Sequence, residues 1–336
     1  MGSRCSRRAR SWGAALLLAA LALTGCGTTP QSALAPVGPV ARIQYWLFQE
    51  TLWIMVGVGV VVIAAVIYII FRFHAGRPGE PSKVHGHTGL EILWTVIPFI
   101  LVGIIAVPTV ETAFYLAKPP PHSDPLPITV VAHQYWWAFE YPKQGIVTAN
   151  ELVIPTGRVV ELTLKTADVI HAFWVPRIAG KEDLIPGRTN TMWIEADEPG
   201  RYPGQCAQFC GTGHAFMHFS VVAEPAAKFA QWVEALKHPD SKPHSALAKE
   251  GMQLFALNCS SCHTIAGTPF HGNVGPNLTA LSLRKTIAAG VLTNTPANLA
   301  RWIHDPQAVK PGALMPNLHL PESEIRAIVA YLSGLK

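Results

Sequence analysis

Charged residues are scarce in this chain of 336 residues. Asp, Glu, Lys and Arg make up 14% of it, hydrophobic residues make up 49%, and the mean hydropathy is +0.26. This low polarity is typical of a membrane protein. Four of the 26 basic residues and none of the 21 acidic residues precede Cys26, so the rest of the chain is close to neutral. A basic surface for nucleic acid is therefore excluded.

Cysteine is sparse as well, with six residues that fall into three pairs. The first pair, Cys5 and Cys26, lies near the N-terminus. There, four arginines precede an apolar run over residues 14–23 and the sequence Leu-Thr-Gly-Cys26. This pattern resembles a bacterial lipoprotein signal, in which residues 1–25 are cleaved off and Cys26 receives the lipid. A plain secretory signal and an uncleaved anchor are the alternatives.

Two long hydrophobic runs, residues 52–71 and 92–110, contain no charge at all. Each is long enough to cross a bilayer as a helix, and a buried core helix is the alternative for either. The loop between them carries more Lys and Arg than Glu, which places the loop in the cytoplasm and both ends of the hairpin outside. We therefore predict a transmembrane helical hairpin over residues 47–117, after an extracytoplasmic segment over residues 26–46.

The rest of the chain changes character twice. Residues 118–223 begin with a proline-rich connector and then alternate short β-branched or aromatic runs with Gly and Pro turns, which predicts an all-β Greek-key domain. A helix and a polar linker are predicted over residues 224–245. Residues 246–336 show amphipathic helical patterns and have the length of a small all-α haem domain.

The second pair of cysteines lies in a loop from Cys206 to Met217 that also carries a histidine. Thiolates, imidazole and thioether together are a copper ligand set. One copper needs a single cysteine, so the second sulfur, from Cys210, indicates two coppers bridged by both sulfurs. His171, upstream in a β-rich stretch, is the candidate for a second imidazole. A disulfide is the alternative, but it leaves the spacing of His214 and Met217 unexplained.

The third pair belongs to the sequence Cys259-Ser-Ser-Cys262-His263, which is typical of covalent c-type haem attachment. The two thiols would take the vinyl groups and His263 the proximal iron position. A thioredoxin-like redox pair is the alternative, and it requires a βαβ setting that is not apparent. Met315 is the only methionine after Cys262 and so is the candidate distal ligand, while the Pro276 carbonyl is placed to accept the proximal imidazole N–H. The competitors for the distal position are His271, His304 and His319.

Together these segments resemble a known family. Residues from about 44 to 222 are similar to subunit II of the haem-copper cytochrome c oxidases, and residues from about 245 onward are similar to a fused cytochrome c. The resemblance implies a two-helix membrane hairpin, an all-β cupredoxin-like domain and an all-α cytochrome c domain. It rests on the hairpin, on the copper loop, and on His133-Gln-Tyr-Trp-Trp-Ala-Phe-Glu-Tyr141, Asp168-Val-Ile-His171 and Ile185-Pro-Gly-Arg188.

The resemblance also implies two cofactors, a dinuclear copper centre (CuA) and one haem c. Electrons would pass from an external cytochrome c or another donor to the haem, then to CuA, and then to subunit I, which reduces dioxygen. The implied partners are subunit I, further oxidase subunits and membrane lipid, with both metal domains outside the cytoplasmic membrane of a bacterium. The implied CuA ligands are Cys206 and Cys210 as bridges, His171 and His214 as terminal ligands, and Met217 and the Gln208 carbonyl as weak ligands.

Three positions are compared with the family one by one. Glu91 begins the second apolar helix, where the family has the carboxylate at the mouth of a proton channel; a helix-start carboxylate favoured by the helix dipole is the alternative. Gln208 stands where the family usually has a Glu whose carboxylate also binds magnesium. Its backbone carbonyl can still bind copper, whereas its neutral side chain leaves the magnesium role open. Tyr135 stands where the family often has the tryptophan that accepts electrons, and Trp136 and Trp137 are interpreted as packing residues.

Two other functions fit parts of the chain. A quinol oxidase subunit has the same hairpin and β domain but lacks the copper ligands. A membrane-tethered carrier with CuA and haem c, but without an oxidase partner, would use the helices only as an anchor. If the chain is an oxidase subunit II with CuA, a short linker holds the haem domain near the copper at an effective concentration on the order of millimolar. We therefore expect the attached haem to be the site that accepts external electrons.

Overall fold

The computed structural model describes residues 29–74, 76 and 85–336. The predicted signal over residues 1–25 and the lipidation site Cys26 lie outside the described residues. Two long helices come first, α1 (Pro39–Arg72) and α2 (Thr88–Leu116), and they pack against each other. Their most apolar windows have mean hydropathies of 3.0 and 2.4 and are not buried inside the protein. Length and composition therefore suit both helices to a bilayer.

The start of α1 belongs to the β domain rather than to a free segment. Val37 and Val40 are buried in the core of that domain, and the Val37 N–H donates to the Arg177 carbonyl at 2.7 Å. A Cβ at Gly38 would collide with the Glu195 carbonyl, so only glycine permits this approach. In α2, two threonine hydroxyls donate to backbone carbonyls one turn earlier in the helix. These hydroxyls therefore have a hydrogen-bond partner without water.

Ten strands in the described part of the chain form the two five-stranded sheets of the second domain. One sheet has the order β3-β2-β1-β5-β8 and the other β4-β10-β9-β6-β7. The pairs β1–β5 and β4–β10 are parallel, and the remaining pairs are antiparallel. The strands are β1 Leu126–His133, β2 Trp136–Tyr141, β3 Ile146–Ala149, β4 Glu151–Pro155, β5 Val160–Thr166, β6 His171–Trp174, β7 Glu182–Leu184, β8 Asn190–Ile194, β9 Gly200–Cys206 and β10 His218–Glu224.

The core of this domain lies between the two sheets. Alternate residues of β1 are buried, as the period of a strand with one face toward a core requires. Trp137, Phe173 and Phe219 are in mutual ring contact, with centroids 4.7–6.0 Å apart. Burying rings of this size stabilises the fold by about 1.5–3 kcal/mol each. They form the floor beneath the ends of β6 and β9, where the predicted copper ligands lie.

The third domain is helical. Helix α3 (Ala226–Lys237) packs on the β domain, and the chain then enters α4 (Ala246–Asn258), α5 (Pro296–His304), α6 (Pro306–Val309) and α7 (Glu322–Leu332), with a small hairpin of β11 (Thr286–Ile287) and β12 (Leu292–Thr293). Helices α4 and α7 cross at Gly251, where a Cβ would collide with the Ala327 carbonyl. Phe255 and Ile328 are fully buried beside this crossing. The predicted fold class, a two-helix hairpin with an all-β and an all-α domain, is confirmed.

Candidate copper and haem sites

The predicted copper ligands come from two neighbouring strands and the loop between β9 and β10. His171 is the first residue of β6 and Cys206 the last of β9, and these strands pair antiparallel with Phe173 opposite Cys206. Cys210 follows in the loop. His214 opens a short 3-10 helix, and Met217 comes directly before β10. The strand pairing therefore brings together residues that are far apart in the sequence.

The donor atoms of these residues lie close together. Sγ of Cys206 is 3.9 Å from Sγ of Cys210, so no disulfide joins the two thiols. The donor atoms of His171, Cys206 and Cys210 all lie within 4.8 Å of one another. The remaining separations are 3.7 Å from Cys206 Sγ to His171 Nδ1, 3.5 Å from Cys210 Sγ to His214 Nδ1, 3.9 Å from Cys210 Sγ to Met217 Sδ, and 3.2 Å from Cys206 Sγ to the Gln208 carbonyl oxygen.

This donor set fits copper. Sulfur and imidazole ligands bind a metal at about 2.0–2.3 Å, so two tetrahedral ligands of one ion lie about 3.5–3.8 Å apart. The two separations between sulfur and imidazole nitrogen, 3.7 Å for Cys206 and His171 and 3.5 Å for Cys210 and His214, match that value. Each sulfur has its own imidazole, His171 for Cys206 and His214 for Cys210, which gives the arrangement two halves. Soft donors of this kind select copper over hard cations.

Burial and hydrogen bonding set the protonation of the site. Cys206, Cys210 and Met217 are almost fully buried. A hydrogen bond between the two thiols lowers the pKa of Cys206 to about 3 and raises the pKa of Cys210. The pair therefore releases its first proton easily and its second with difficulty, as expected of two close thiols. A cation that replaces the second proton removes this conflict.

Asp168 and Gln134 hydrogen-bond to two of the candidate copper ligands, and neither of them was assigned a role from the sequence. Oδ1 of Asp168 lies 2.8 Å from Nε2 of His171, and Oδ2 accepts the Gln134 backbone N–H at 2.7 Å. The side-chain amide of Gln134 donates to the Cys210 carbonyl at 2.6 Å. Burial opposes the charged form of Asp168, but the hydrogen bond from His171 and two backbone N–H groups outweighs it and lowers the pKa. The available signal was an acid three residues before a ligating histidine.

The predicted haem residues line a single cavity in the third domain. Cys259, Cys262, His263 and Met315 all line it. Nδ1 of His263 lies 2.8 Å from the Pro276 carbonyl, as the sequence predicted, which leaves Nε2 directed away from that contact. The competing distal ligands His271, His304 and His319 do not line this cavity.

The cavity is also lined from the copper domain. Gln134, Tyr135 and Trp136 form part of its wall. The ring of Tyr135 fills the space beside Gly213 of the copper loop, where a Cβ would collide with it. Nζ of Lys310, from the haem domain, donates to the Tyr135 carbonyl at 2.6 Å. The segment 134–136 therefore touches both sites.

Glu91 lies apart from these sites, in the first turn of α2. A carboxylate there faces the positive end of the helix dipole, which by itself accounts for an acid at this position.

Known proteins are similar over nearly the whole chain. Family models match residues 32–112 (cytochrome c oxidase subunit II, transmembrane domain), 144–224 (cytochrome c oxidase subunit II, periplasmic domain) and 248–336 (cytochrome c). Cytochrome c oxidase subunit 2 of Alkalihalophilus pseudofirmus is 40% identical over 94% of both chains. The chain belongs to the cytochrome c oxidase subunit II family. The Bacillus subtilis subunit 2 is 39% identical over 97% of this chain and 98% of its own.

Membership of the subunit II family has three consequences. The chain is a membrane protein and one subunit of an oxidoreductase complex, so further oxidase subunits, including a subunit I, are implied. The family domains imply copper and haem. Quinol oxidase subunit 2 of Bacillus cereus is also similar, at 33% identity over 66% of this chain and 78% of its own. The donor set at His171, Cys206 and Cys210 is one that could hold a metal ion.

Proposed function

We propose that this subunit II accepts electrons at a haem c in its C-terminal domain, passes them to a dinuclear copper centre in its β domain, and delivers them to subunit I for the reduction of dioxygen. The observation that carries the proposal is the segment 134–136. It hydrogen-bonds to the copper loop through Gln134 and forms a wall of the haem cavity through all three residues.

The copper ligands in this proposal are Cys206 and Cys210 as bridges, His171 and His214 as terminal ligands, and Met217 and the Gln208 carbonyl as weak ligands. When bound, a thiolate-bridged copper pair supplies a one-electron site whose geometry changes little on reduction. The protein keeps the copper ligands rigid and excludes water from them. Asp168 fixes the ring of His171, and burial of the sulfurs keeps water away from the site.

In this proposal Cys259 and Cys262 would attach the haem covalently, and His263 and Met315 would be the ligands of its iron. A haem with Met and His ligands supplies a one-electron site with a raised reduction potential. The Pro276 carbonyl accepts the Nδ1 proton of His263, so that Nε2 carries the free lone pair. Gly275 leaves room for that ring, because a Cβ there would lie 2.5 Å from its Cε1 atom.

The membrane arrangement is the remaining part of the proposal. Helices α1 and α2 would cross the bacterial cytoplasmic membrane, with their connecting loop inside and both metal domains outside. Glu91 would then stand at the cytoplasmic end of α2, where it could open a proton path into the complex. Cys26 would carry lipid. An external cytochrome c or another donor would reduce the haem.

Spectroscopy of the purified oxidase, with copper and haem counted per chain, tests the cofactors. We expect two coppers with a delocalised mixed-valence electron paramagnetic resonance signal, together with one low-spin haem c. A single copper, or none, would contradict the dinuclear assignment.

Kinetics test the route. After rapid reduction of the haem by light, we expect haem oxidation and copper reduction to proceed at one rate. A chain that ends at His238 should oxidise an external cytochrome much more slowly than the full chain, and an unchanged rate would refute the attached haem as the electron-accepting site.

A further inference from the structure

A buried carboxylate joins the two metal domains and belongs to neither metal site. Glu151 is the first residue of β4, and its side chain is 6% exposed. Nη1 and Nη2 of Arg201 donate to its two oxygens at 3.0 and 3.1 Å, in a bidentate pair. A pair of this kind is strong and fixes the direction of the carboxylate.

The same carboxylate reaches the haem domain. Its Oε1 accepts the backbone N–H of Lys285 at 2.9 Å, the backbone N–H of Thr286 at 3.1 Å and the hydroxyl of Thr286 at 3.3 Å. Glu151 and Thr286 are 135 residues apart in the chain. Hydrogen bonds to an ionised acceptor are about twice as strong as neutral ones, so this contact is well suited to hold one domain on another.

The segment that hydrogen-bonds to Glu151, at the start of β11, also supports the side of the haem cavity where His263 lies. Arg284, directly before Lys285, is buried and donates to the carbonyl of Asn277 at 2.6 Å. Asn277 follows Pro276, whose carbonyl holds the ring of His263. Burial lowers the pKa of Arg284, and the negative charge of Glu151 opposes that shift. The carboxylate thus compensates a buried cation of the other domain.

Two more contacts between the domains fix their orientation. The backbone N–H of His218, at the start of β10, donates to the Ala289 carbonyl at 3.1 Å. Ala289 has a φ of 58°, a left-handed conformation that is strained for a residue with a side chain. The third contact is the hydrogen bond from Lys310 to the Tyr135 carbonyl. Three separated points of attachment are enough to prevent rotation of one domain on the other.

We infer that Glu151 is a positioning residue, which locks the haem domain on the copper domain so that the haem cavity faces residues 134–136. This inference rests on the proposed electron route. A linker alone keeps the domains near each other, whereas the lock keeps them docked between electron transfers. It also keeps Tyr135 buried, so a soluble donor must deliver its electron to the haem and not to that residue.

The test compares two charge-neutralising variants of the complete oxidase. Glu151→Gln keeps the shape of the side chain but leaves Arg201 and Arg284 without their counter-charge. Glu161→Gln is the control, since Glu161 is a partly exposed carboxylate on β5 for which the described residues show no hydrogen bond or ion pair. We expect Glu151→Gln to slow haem-to-copper electron transfer by about tenfold or more, and the control to leave it unchanged.

Two further readouts separate positioning from a general loss of structure. Transfer in the original protein should not depend on solvent viscosity, because the domains are docked already, whereas transfer in Glu151→Gln should slow as glycerol is added. Hydrogen exchange of the Lys285 and Thr286 amides should accelerate by about tenfold or more in that variant, because the neutral amide oxygen is a weaker acceptor than the carboxylate that it replaces. Exchange within α4 should not change.

A milder variant guards against misfolding. Thr286→Val removes one hydroxyl donor and neither buried charge, so we expect a smaller slowing of transfer and a smaller rise in amide exchange at Lys285. In the Glu151→Gln background the same change should have a smaller effect than it has alone, because both variants weaken one shared contact.

The outcomes are distinct. Unchanged transfer and exchange in Glu151→Gln, with normal copper and haem spectra, would overturn the inference. If Glu151→Gln loses its cofactors, the test falls to Thr286→Val. The inference is then refuted if Thr286→Val has the same amide exchange and the same haem-to-copper transfer rate as the original protein. If the original protein shows no haem-to-copper transfer while Glu151→Gln still raises amide exchange, the proposed electron route fails and the lock stands.

Discussion

The carboxylate of Asp168 contacts one edge of the His171 imidazole, and the sulfur of Cys206 contacts the opposite edge. Oδ1 of Asp168 lies 2.8 Å from Nε2, while Nδ1 faces Sγ of Cys206 at 3.7 Å. The carboxylate therefore selects the tautomer with its proton on Nε2 and leaves Nδ1 free for a metal.

Asp168→Asn should weaken copper binding. The amide cannot accept the imidazole proton as a carboxylate does, and loss of such a partner typically costs about 10- to 100-fold in metal affinity. Competition with a copper chelator measures the change. Asp124→Asn, at a carboxylate whose side chain is 83% exposed, is the control and should bind copper normally. Equal affinity in the two variants would contradict a role for Asp168.

Met315→Ala should change the haem spectrum. Loss of the thioether removes a ligand from the iron, so we expect the low-spin signal to weaken and the reduction potential to fall. Met252→Ala is the matched control, because Met252 packs on the core of the same domain without lining the haem cavity. A low-spin spectrum that survives in Met315→Ala would point instead to a histidine as the distal ligand.

Gly275→Ala should impair haem attachment. The added Cβ would lie 2.5 Å from Cε1 of His263, and overpacking of this kind typically costs about 1–3 kcal/mol. Haem staining of the denatured chain measures covalent attachment. Gly334→Ala is the control, since its Cβ would meet nothing closer than 3.3 Å. Normal staining and a normal spectrum in Gly275→Ala would show that the proximal ring has room to move.

Lys310→Met should remove a dependence of stability on pH. Burial lowers the pKa of Lys310 to about 7, from 10.5 for an exposed lysine. Between these values the unfolded chain binds more protons than the folded one, so stability rises with pH by up to about 1.4 kcal/mol per unit and is lost as pH falls toward 7. The melting temperature should therefore rise from pH 7 to pH 9 in the original protein more than in Lys310→Met. Parallel curves for the two proteins would contradict the buried, neutral lysine.

Local patterns in the sequence were enough to predict the fold class. The apolar runs predicted α1 and α2, and the alternation of buried residues along β1 follows the strand period. The spacing of the cysteines with His214 and His263 was enough to predict both candidate sites, because thiolate and imidazole in close sequence have few other uses. His171 lies 35 residues before Cys206, so no local spacing indicates it.

The contacts between domains could not be predicted in this way. Glu151 and Thr286 are 135 residues apart, and Lys310 and Tyr135 are 175 apart. Nothing in the sequence around a single buried charge indicates which distant backbone group will meet it. The first turn of α1 was missed for the same reason, since its packing against the β domain depends on the distant Arg177 carbonyl.

The close contact of Gly38 with the Glu195 carbonyl attaches the start of α1 rigidly to the β domain. With Val37 and Val40 buried in the β domain, and Arg42 paired with Asp197, α1 runs from that domain without a flexible joint. In the proposed membrane arrangement, the candidate copper ligands would therefore keep a fixed distance from the membrane-spanning part of α1. Thermal undulation of the bilayer would not alter the gap to an acceptor in subunit I.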